Sequence, residues 1–499
     1  MAKKTTKITD FQETGMNPDI RGSSGASLIQ HYETDIDKRL RPRLGLSADL
    51  VSTNHGSGSN VIADISLKAY ALIREDFGYS GITEGMFALG EVGGDPDQPQ
   101  IFKFSQSTRE WDGHSPFDFE NSTLIAPVLF PYKTFFYGLT AAGVWKGAQA
   151  ASSTCSNYQS IAITNWAHPI WHSKDDKAYF FMNNIIYRLD NVTWDGAVLT
   201  MADSEVIKTA TEYGDYILFV TYDANANRST AYLWDRDSGK ETMTAKYDMG
   251  RGEVEHVAVL DGVPIFVSKF IDVNQGKPNI DYRFIVKRLN GSLVETVRQF
   301  DWNSLQIGDG VWVSENKLYF GLQVQRTSTD TAELLVASVD SRGRIYFDIA
   351  ITGATTDLTK NLPNGILNDG DGWWVAQDAA EKAYSSTVLY GETSIFESLK
   401  MRADNPTAHL DFIGSVIDTE PLSGTITLKF RKDEETDWIT LGTFNTSNEL
   451  KNSVVKKGST TEPGVGKEIQ YRIEQTGSSA AIVGFFAAMD EKSKEPFDI

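Results

Sequence analysis

Three observations predict an all-β protein. A short apolar strand recurs seven times along the chain. Aromatic residues make up 11% of the 499 positions, with 41 Gly against 15 Pro. The last hundred or so residues then break into separate strands divided by turns. Strands joined by glycine-containing turns suit this composition better than a helical bundle does. The reading is a β-propeller, with seven blades, followed by a small β-sandwich, with an irregular N-terminal arm. The expected organisation is an extended arm over 1–48, the propeller over 49–394, the sandwich over 395–490 and a charged tail over 491–499.

The repeat carries the propeller. Its copies are "GMFALGEV" at 85, "KTFFYGLT" at 133, "DKAYFFMN" at 176, "GDYILFVTYD" at 214, "DGVPIFVSKF" at 261, "ENKLYFGLQV" at 315 and "DGWWVAQD" at 371. Most are followed by a second strand and a turn. "STAYLWDRDSGKETMTAKYD", residues 229–248, reads as the outer hairpin of the fourth copy, turning at Asp235–Gly239. A unit of 40 to 55 residues holding about four short strands is the signature of a propeller blade. One such sheet cannot bury both faces alone, whereas radial stacking buries them and circular closure removes exposed ends. The uneven spacing leaves six or eight blades open. The run "SNVIADISLKAYALI" at 59–73 is read as the strand that closes the ring.

From about residue 395 the strands are "AHLDFIGSVIDT", "GTITLKFRKD", "DWITLGTFNT", "EIQYRIEQTG" and "AAIVGFFAAMD". Alternation in the second places Ile426, Leu428 and Phe430 on one face. At the other end, a Gly/Ser cluster at 22–27 reads as a linker. Lys38, Arg39, Arg41 and Arg43 then crowd into six residues. A basic arm of this kind orders by lying on something, so these four are the candidate subunit-interface residues.

Charge narrows the function classes. With 47 Lys+Arg against 67 Asp+Glu, the net charge is −20. Such a surface repels phosphate, so specific nucleic-acid binding by the body is not expected. An acidic wall would nevertheless suit a channel through which DNA slides without sticking. The single cysteine, Cys155, leaves no intramolecular disulfide framework and no multi-Cys metal cluster. No apolar run follows the basic start and no stretch nears 18 apolar residues. No signal peptide or membrane anchor is therefore expected, and the chain is expected to be made and folded in a cytoplasm.

The motifs argue against catalysis. Trp-Asp pairs at Trp111, Trp194 and Trp234 lack the upstream Gly-His of WD repeats. "SVDSRGRIYFD" at 338 approaches a sialidase turn, but its Gly343 is one residue late and no Trp follows. His168 and His172 stand four apart with Pro169 between them, which opposes a helical metal site. Asp369 and Asp371 sit in a Gly-rich turn that could take calcium but lacks further spaced ligands. No phosphate loop or nucleophile elbow occurs. The expectation is a non-enzyme without metal or cofactor.

The C-terminal segment resembles the terminal β-sandwich of tailed-bacteriophage virion proteins. The stretches that carry the resemblance are the "ES" strand at Glu397, "WITLG" at Trp438 to Gly442 and "QYRIEQTG" at Gln470 to Gly477. It covers about 100 residues and reaches the propeller only by architecture. It implies a structural tail or neck (nozzle-like) protein whose copies form a ring around the DNA exit channel. Partners would be copies of itself and other tail or neck proteins, with genomic DNA passing through without specific binding. Its place would be the virion, after synthesis in the host cytoplasm. Two alternatives stay open: a host receptor-binding module of the tail, and a propeller-type glycan hydrolase or lyase.

Overall fold

A computed structural model of the chain describes residues 2–8, 26–30, 32–34, 39–42, 46–48, 50–52, 65–73, 85–92, 99–105, 110–116, 128–150, 154–236, 243–272, 281–302, 305–314, 316–325, 330–339, 345–352, 363–368, 373–377, 384–386, 393–402, 408–433, 435–447, 451–456, 465–477 and 480–493. The chain divides into two compact units. One takes Ser47–Leu334 and Thr356–Ser385; the other takes Met1–Leu46, Leu335–Thr355 and Ser386–Ile499.

The first unit is the propeller, built among the described residues from seven blades, six of them separate sheets and blade 6 part of a longer sheet. Blade 1 runs Ile65–Ile73, Gly85–Val92, Pro99–Ser105 and Glu110–Pro116, with Leu50–Ser52 added in parallel at its outer edge. Blade 2 runs Phe130–Tyr132, Phe135–Thr140, Gly143–Ala148 and Ser156–Ser160; blade 3 runs Trp166–His172, Lys177–Met182, Ile185–Asp190 and Thr193–Thr200. Blade 4 runs Glu205–Tyr213, Tyr216–Asp223, Arg228–Trp234 and Met243–Arg251; blade 5 runs Glu253–Leu260, Val263–Asp272, Asp281–Asn290 and Leu293–Trp302. Blade 6 begins Leu305–Ser314, Lys317–Gln325 and Asp330–Val339. Blade 7 runs Pro363–Asn368, Trp373–Gln377 and Tyr384–Ser386, and its fourth strand is Leu46–Ala48.

Each of the seven sequence copies is the second strand of its blade. In blades 2, 3 and 4 this strand is buried along nearly its whole length, because blades pack on both of its faces. Fourth strands, nearer the rim, alternate between exposed and half-buried residues instead. Tight hairpins precede several second strands. Asp261 and Gly262 both take positive φ, the pair of left-handed residues that a two-residue hairpin favours.

Apolar clusters sit between successive blades. Phe87, Phe136 and Trp145 join blades 1 and 2; Tyr137, Phe180 and Leu189 join 2 and 3; Phe181, Phe219 and Trp234 join 3 and 4; Val220, Val257 and Phe266 join 4 and 5. Leu367 of blade 7 packs with Tyr70, Phe102 and Trp111 of blade 1, which closes the circle. The closing strand is thus not the 59–73 run, which instead supplies the first strand of blade 1. That run is apolar because neighbouring blades cover it, as the burial of Ala69, Tyr70, Ala71 and Ile73 shows. The outer hairpin Arg228–Trp234 with Met243–Arg251 pairs antiparallel in blade 4. The three Trp-Asp pairs are not equivalent: Trp111 and Trp194 lie on fourth strands, Trp234 ends a third.

The second unit holds a seven-stranded sheet and part of a longer one. One has the order Tyr32–Thr34, Leu40–Pro42, Ile482–Ser493, Ala408–Thr419 and Lys451–Lys456, with Ala2–Ile8 also paired to Ile482–Ser493 and Val465–Gly466 to Ala408–Thr419. The other orders Ile345–Thr352, Ala26–Gln30, Ser394–Ser398, Glu468–Thr476, Leu422–Lys432 and Ile439–Ser447. Ile426, Leu428 and Phe430 are buried together, on one face. Rings of Tyr471 and Phe485, one from each sheet, meet at 5.3 Å. The irregular arm expected over 1–48 is corrected by its described residues, which form strands. Pairing with strands of the C-terminal segment satisfies their backbone groups, so little apolar patterning is required of them. The tail expected from 491 likewise begins as the end of strand Ile482–Ser493.

The packing of blade 2 makes a direct test. A Cβ at Gly138 would lie 2.4 Å from the Trp145 ring, which is itself buried and held on both sides. Gly138→Ala is expected to cost about 1–3 kcal/mol through overpacking, read from the midpoint of urea unfolding. An unchanged midpoint would mean that the Trp145 ring packs elsewhere.

Candidate functional site

First strands line the propeller axis, and several carry a register shift near their start. Shifts fall between Ala167 and Ile170 in blade 3, Ile207 and Thr209 in blade 4, Val254 and His256 in blade 5, and Ile307 and Val311 in blade 6. A bulge frees backbone groups from the ladder and re-aims side chains. In blade 6 it frees the carbonyls of Gly308 and Asp309. His168 of blade 3 places Nε2 2.8 Å from the Asp309 oxygen, and His256 of blade 5 places Nε2 2.8 Å from the Gly308 oxygen. Blades 3 and 6 are not neighbours in the ring, so the first of these bonds crosses the axis. A carbonyl only accepts, so both imidazoles carry their proton on Nε2 and keep Nδ1 as a lone pair.

These residues surround a polar cavity of about 110 Å³, with Asn165, Lys208 and Glu255 completing its wall. The charges beside it form a chain. Lys208 Nζ is 2.7 Å from Glu253; Lys269 Nζ is 2.6 Å from Glu255 and 3.7 Å from Glu253. Burial pushes the Glu255 carboxyl up, against the pull of Lys269 and with the help of neighbouring Glu253. Glu253 ends below its usual range, because Lys208 and Lys269 outweigh its burial. Burial lowers His168 and takes His256 down to about 4. The site therefore combines two neutral imidazoles with a carboxyl that holds its proton more readily than usual. In chemical terms that is an acid–base set, but its imidazole N–H groups and ammonium groups already have partners.

Residues singled out in the sequence are distributed differently. His168 and His172 lie on one strand, roughly 13 Å apart at the usual rise per residue, and bind separate partners. His172 is buried, its Nδ1 3.1 Å from Asp175 and its Nε2 3.8 Å from Glu212. Asp175 also accepts from Tyr179 at 2.6 Å and pairs at 3.1 Å with Arg236, a guanidinium only 2% exposed. Burial raises the Asp175 carboxyl, but His172, Tyr179 and Arg236 together bring it below its ordinary value. This cluster pins blade 3 to blade 4. Among the described residues no group of three or more His, Cys, Asp or Glu could hold a metal ion. In the second unit, Arg39 pairs with Glu420 at 2.5 Å, and the backbone of Arg41 stands opposite Glu33. Lys38, Arg43, Gly343, Asp369 and Asp371 lie outside the described residues.

Sequence reasoning missed Glu253, Glu255 and His256. Their signal is "EVEHV" directly after Gly252, with two carboxylates spaced two apart at a strand start. Among 67 acidic residues that pattern has nothing to single it out until the strands are arranged around an axis.

The depressed His256 has a pH consequence. An unfolded chain protonates this imidazole near its ordinary value, whereas the folded chain keeps it neutral down to about 4. The unfolded state binds more protons in that window, so stability is full above it and is lost as pH falls through it. Glu255, shifted upward, works in the opposite sense. His256→Gln, which keeps a donor for Gly308, is expected to remove on the order of 3 kcal/mol of that loss. Urea midpoints at the two ends of the window measure it, and an unaltered pH slope would refute a neutral buried His256.

No protein-family model matches the chain, and no curated protein matches it. Among solved structures it is similar to a streptogramin B lyase, at 13% identity over 69% of this chain and 97% of that one, with a TM-score of 0.40. It is also similar to BamB from Moraxella catarrhalis, at 11% identity over 77% and 100% of the two chains, with a TM-score of 0.37. At scores this low neither likeness carries an argument, and the propeller rests on the described blades themselves.

Proposed function

We propose that the chain is a non-enzymatic structural component of a tailed-bacteriophage virion, a tail or neck protein whose copies ring the DNA exit channel. The observation that carries this reading lies in the second unit. The three stretches that resemble virion proteins meet there in one network. Glu397 stands opposite Arg472 on the adjacent strand and pairs with it at 3.4 Å. The Arg472 guanidinium lies 5.4 Å from the Trp438 ring, with Arg431 4.5 Å from the same ring. Two cations over one indole hold a strand end in place, which is what a rigid building block requires. The axial groups of the propeller support the same reading, because they are engaged with one another. A net charge of −20 suits a wall that DNA passes without adhering.

One observation favours a second reading. The protonated tendency of Glu255 beside neutral His168 and His256 would serve a propeller that binds or cleaves glycan, as an attachment module or hydrolase. Native mass and electron microscopy of the full chain separate the two. A ring of several copies with a central opening is expected. A monomer that binds or hydrolyses cell-surface glycan would overturn the structural reading.

The basic arm is tested in the same experiment. Reversing the charge at Arg41 and Arg43 is expected to abolish ring assembly. Reversal at Arg39 is expected to cost mainly its bond to Glu420, restored by pairing Arg39→Glu with Glu420→Arg. Rings that survive reversal at Arg41 and Arg43 would remove the arm from the interface.

A further inference from the structure

The opposite end of the propeller axis is apolar. There the later residues of first strands from blades 1, 2, 3 and 6 line a partly open cavity of about 250 Å³. Its wall includes Phe130, Tyr132, Lys133, Gln149, Trp171 and Trp312. One side is fixed by Asp176. Its carboxylate accepts from Trp171 Nε1 at 3.0 Å and pairs with the Lys133 ammonium, and its backbone carbonyl accepts from the Tyr132 hydroxyl at 2.6 Å. The aromatic wall is therefore held in place before anything enters.

Two polar groups of this wall lack partners. Gln149 is 1% exposed, and its amide nitrogen donates to the carbonyls of Lys133 at 2.9 Å and Phe135 at 3.2 Å. Those carbonyls only accept, which fixes the nitrogen and leaves Oε1 as the unsatisfied atom. Trp312 Nε1 is buried and unsatisfied as well. Buried polar atoms are seldom left so, and here both belong to residues that line the same aromatic cavity. An apolar cavity of about 150 Å³ already takes benzene, so this one has room for a substituted ring.

We propose that this end of the axis binds a planar, largely apolar ring bearing a hydroxyl, that is, a phenol. A phenol hydroxyl both donates, as Gln149 Oε1 requires, and accepts, as Trp312 Nε1 requires. The ring stacks among Phe130, Tyr132 and Trp171. Asp176 is a positioning residue for that wall. The site is independent of the structural role proposed above, and a ring-forming protein would carry it equally well.

The test uses the full chain and ligand-observed NMR with p-cresol, toluene and a methyl glucoside. Saturable binding of p-cresol, at least tenfold tighter than toluene, is expected, with no binding of the glucoside. Trp312→Phe keeps the aromatic face but loses the N–H, and is expected to erase most of the p-cresol advantage while leaving toluene unchanged. The ligand comparison on the unaltered chain stands even if that variant folds poorly. Absence of p-cresol binding, equal affinity for toluene, or binding of the glucoside in its place would each overturn the proposal.

Discussion

The structure depends on one constraint: a four-stranded sheet of this sequence has two apolar faces and cannot cover both by itself. Second strands such as Lys177–Met182, buried from Ala178 to Met182, are soluble only when a blade lies against each side. Stacking answers that need for the middle of a row, and closure answers it for the ends. The cluster of Leu367 with Tyr70, Phe102 and Trp111 is the same kind of interface as those between consecutive blades. Everything at the axis, including the crossing bond from His168 to Asp309, follows from first strands being brought together by that closure.

What was legible in the sequence tracks how much apolar surface each element buries. The seven second strands announce themselves because both of their faces must be apolar. Ile426, Leu428 and Phe430 were legible because one face is buried and the other is not. Leu46–Ala48 was not legible, since three residues at the rim of a blade carry no period. Ala2–Ile8 was missed for a related reason: "AKKTTKI" joins a sheet through backbone pairing with Ile482–Ser493, and its side chains leave no apolar pattern to find.

The axial site was illegible for a different reason. His168 stands 88 residues before His256 and on a different blade from His256 and Glu255, and bulges decide which of their side chains reach the axis. A bulge shifts register by one residue and leaves no mark in composition. The two histidines of "AHPIWH" illustrate the point. Spacing alone invites them to share a ligand, whereas the register shift after Ala167 sends one to the axis and the other to a buried contact with Asp175.

The closing strand also governs the order in which the ring can be completed. Leu46–Ala48 leaves the ribosome well ahead of its partner Tyr384–Ser386, which emerges more than 300 residues later. Blades 2 to 5 are each made of consecutive strands and can form as the chain appears, but the last sheet waits for both ends. Pairings of such long separation are slow to find each other. Until they do, the growing arc presents an open edge at each end, the form in which blades of neighbouring chains would pair in error. A chain cut short before residue 384 would keep that arc permanently.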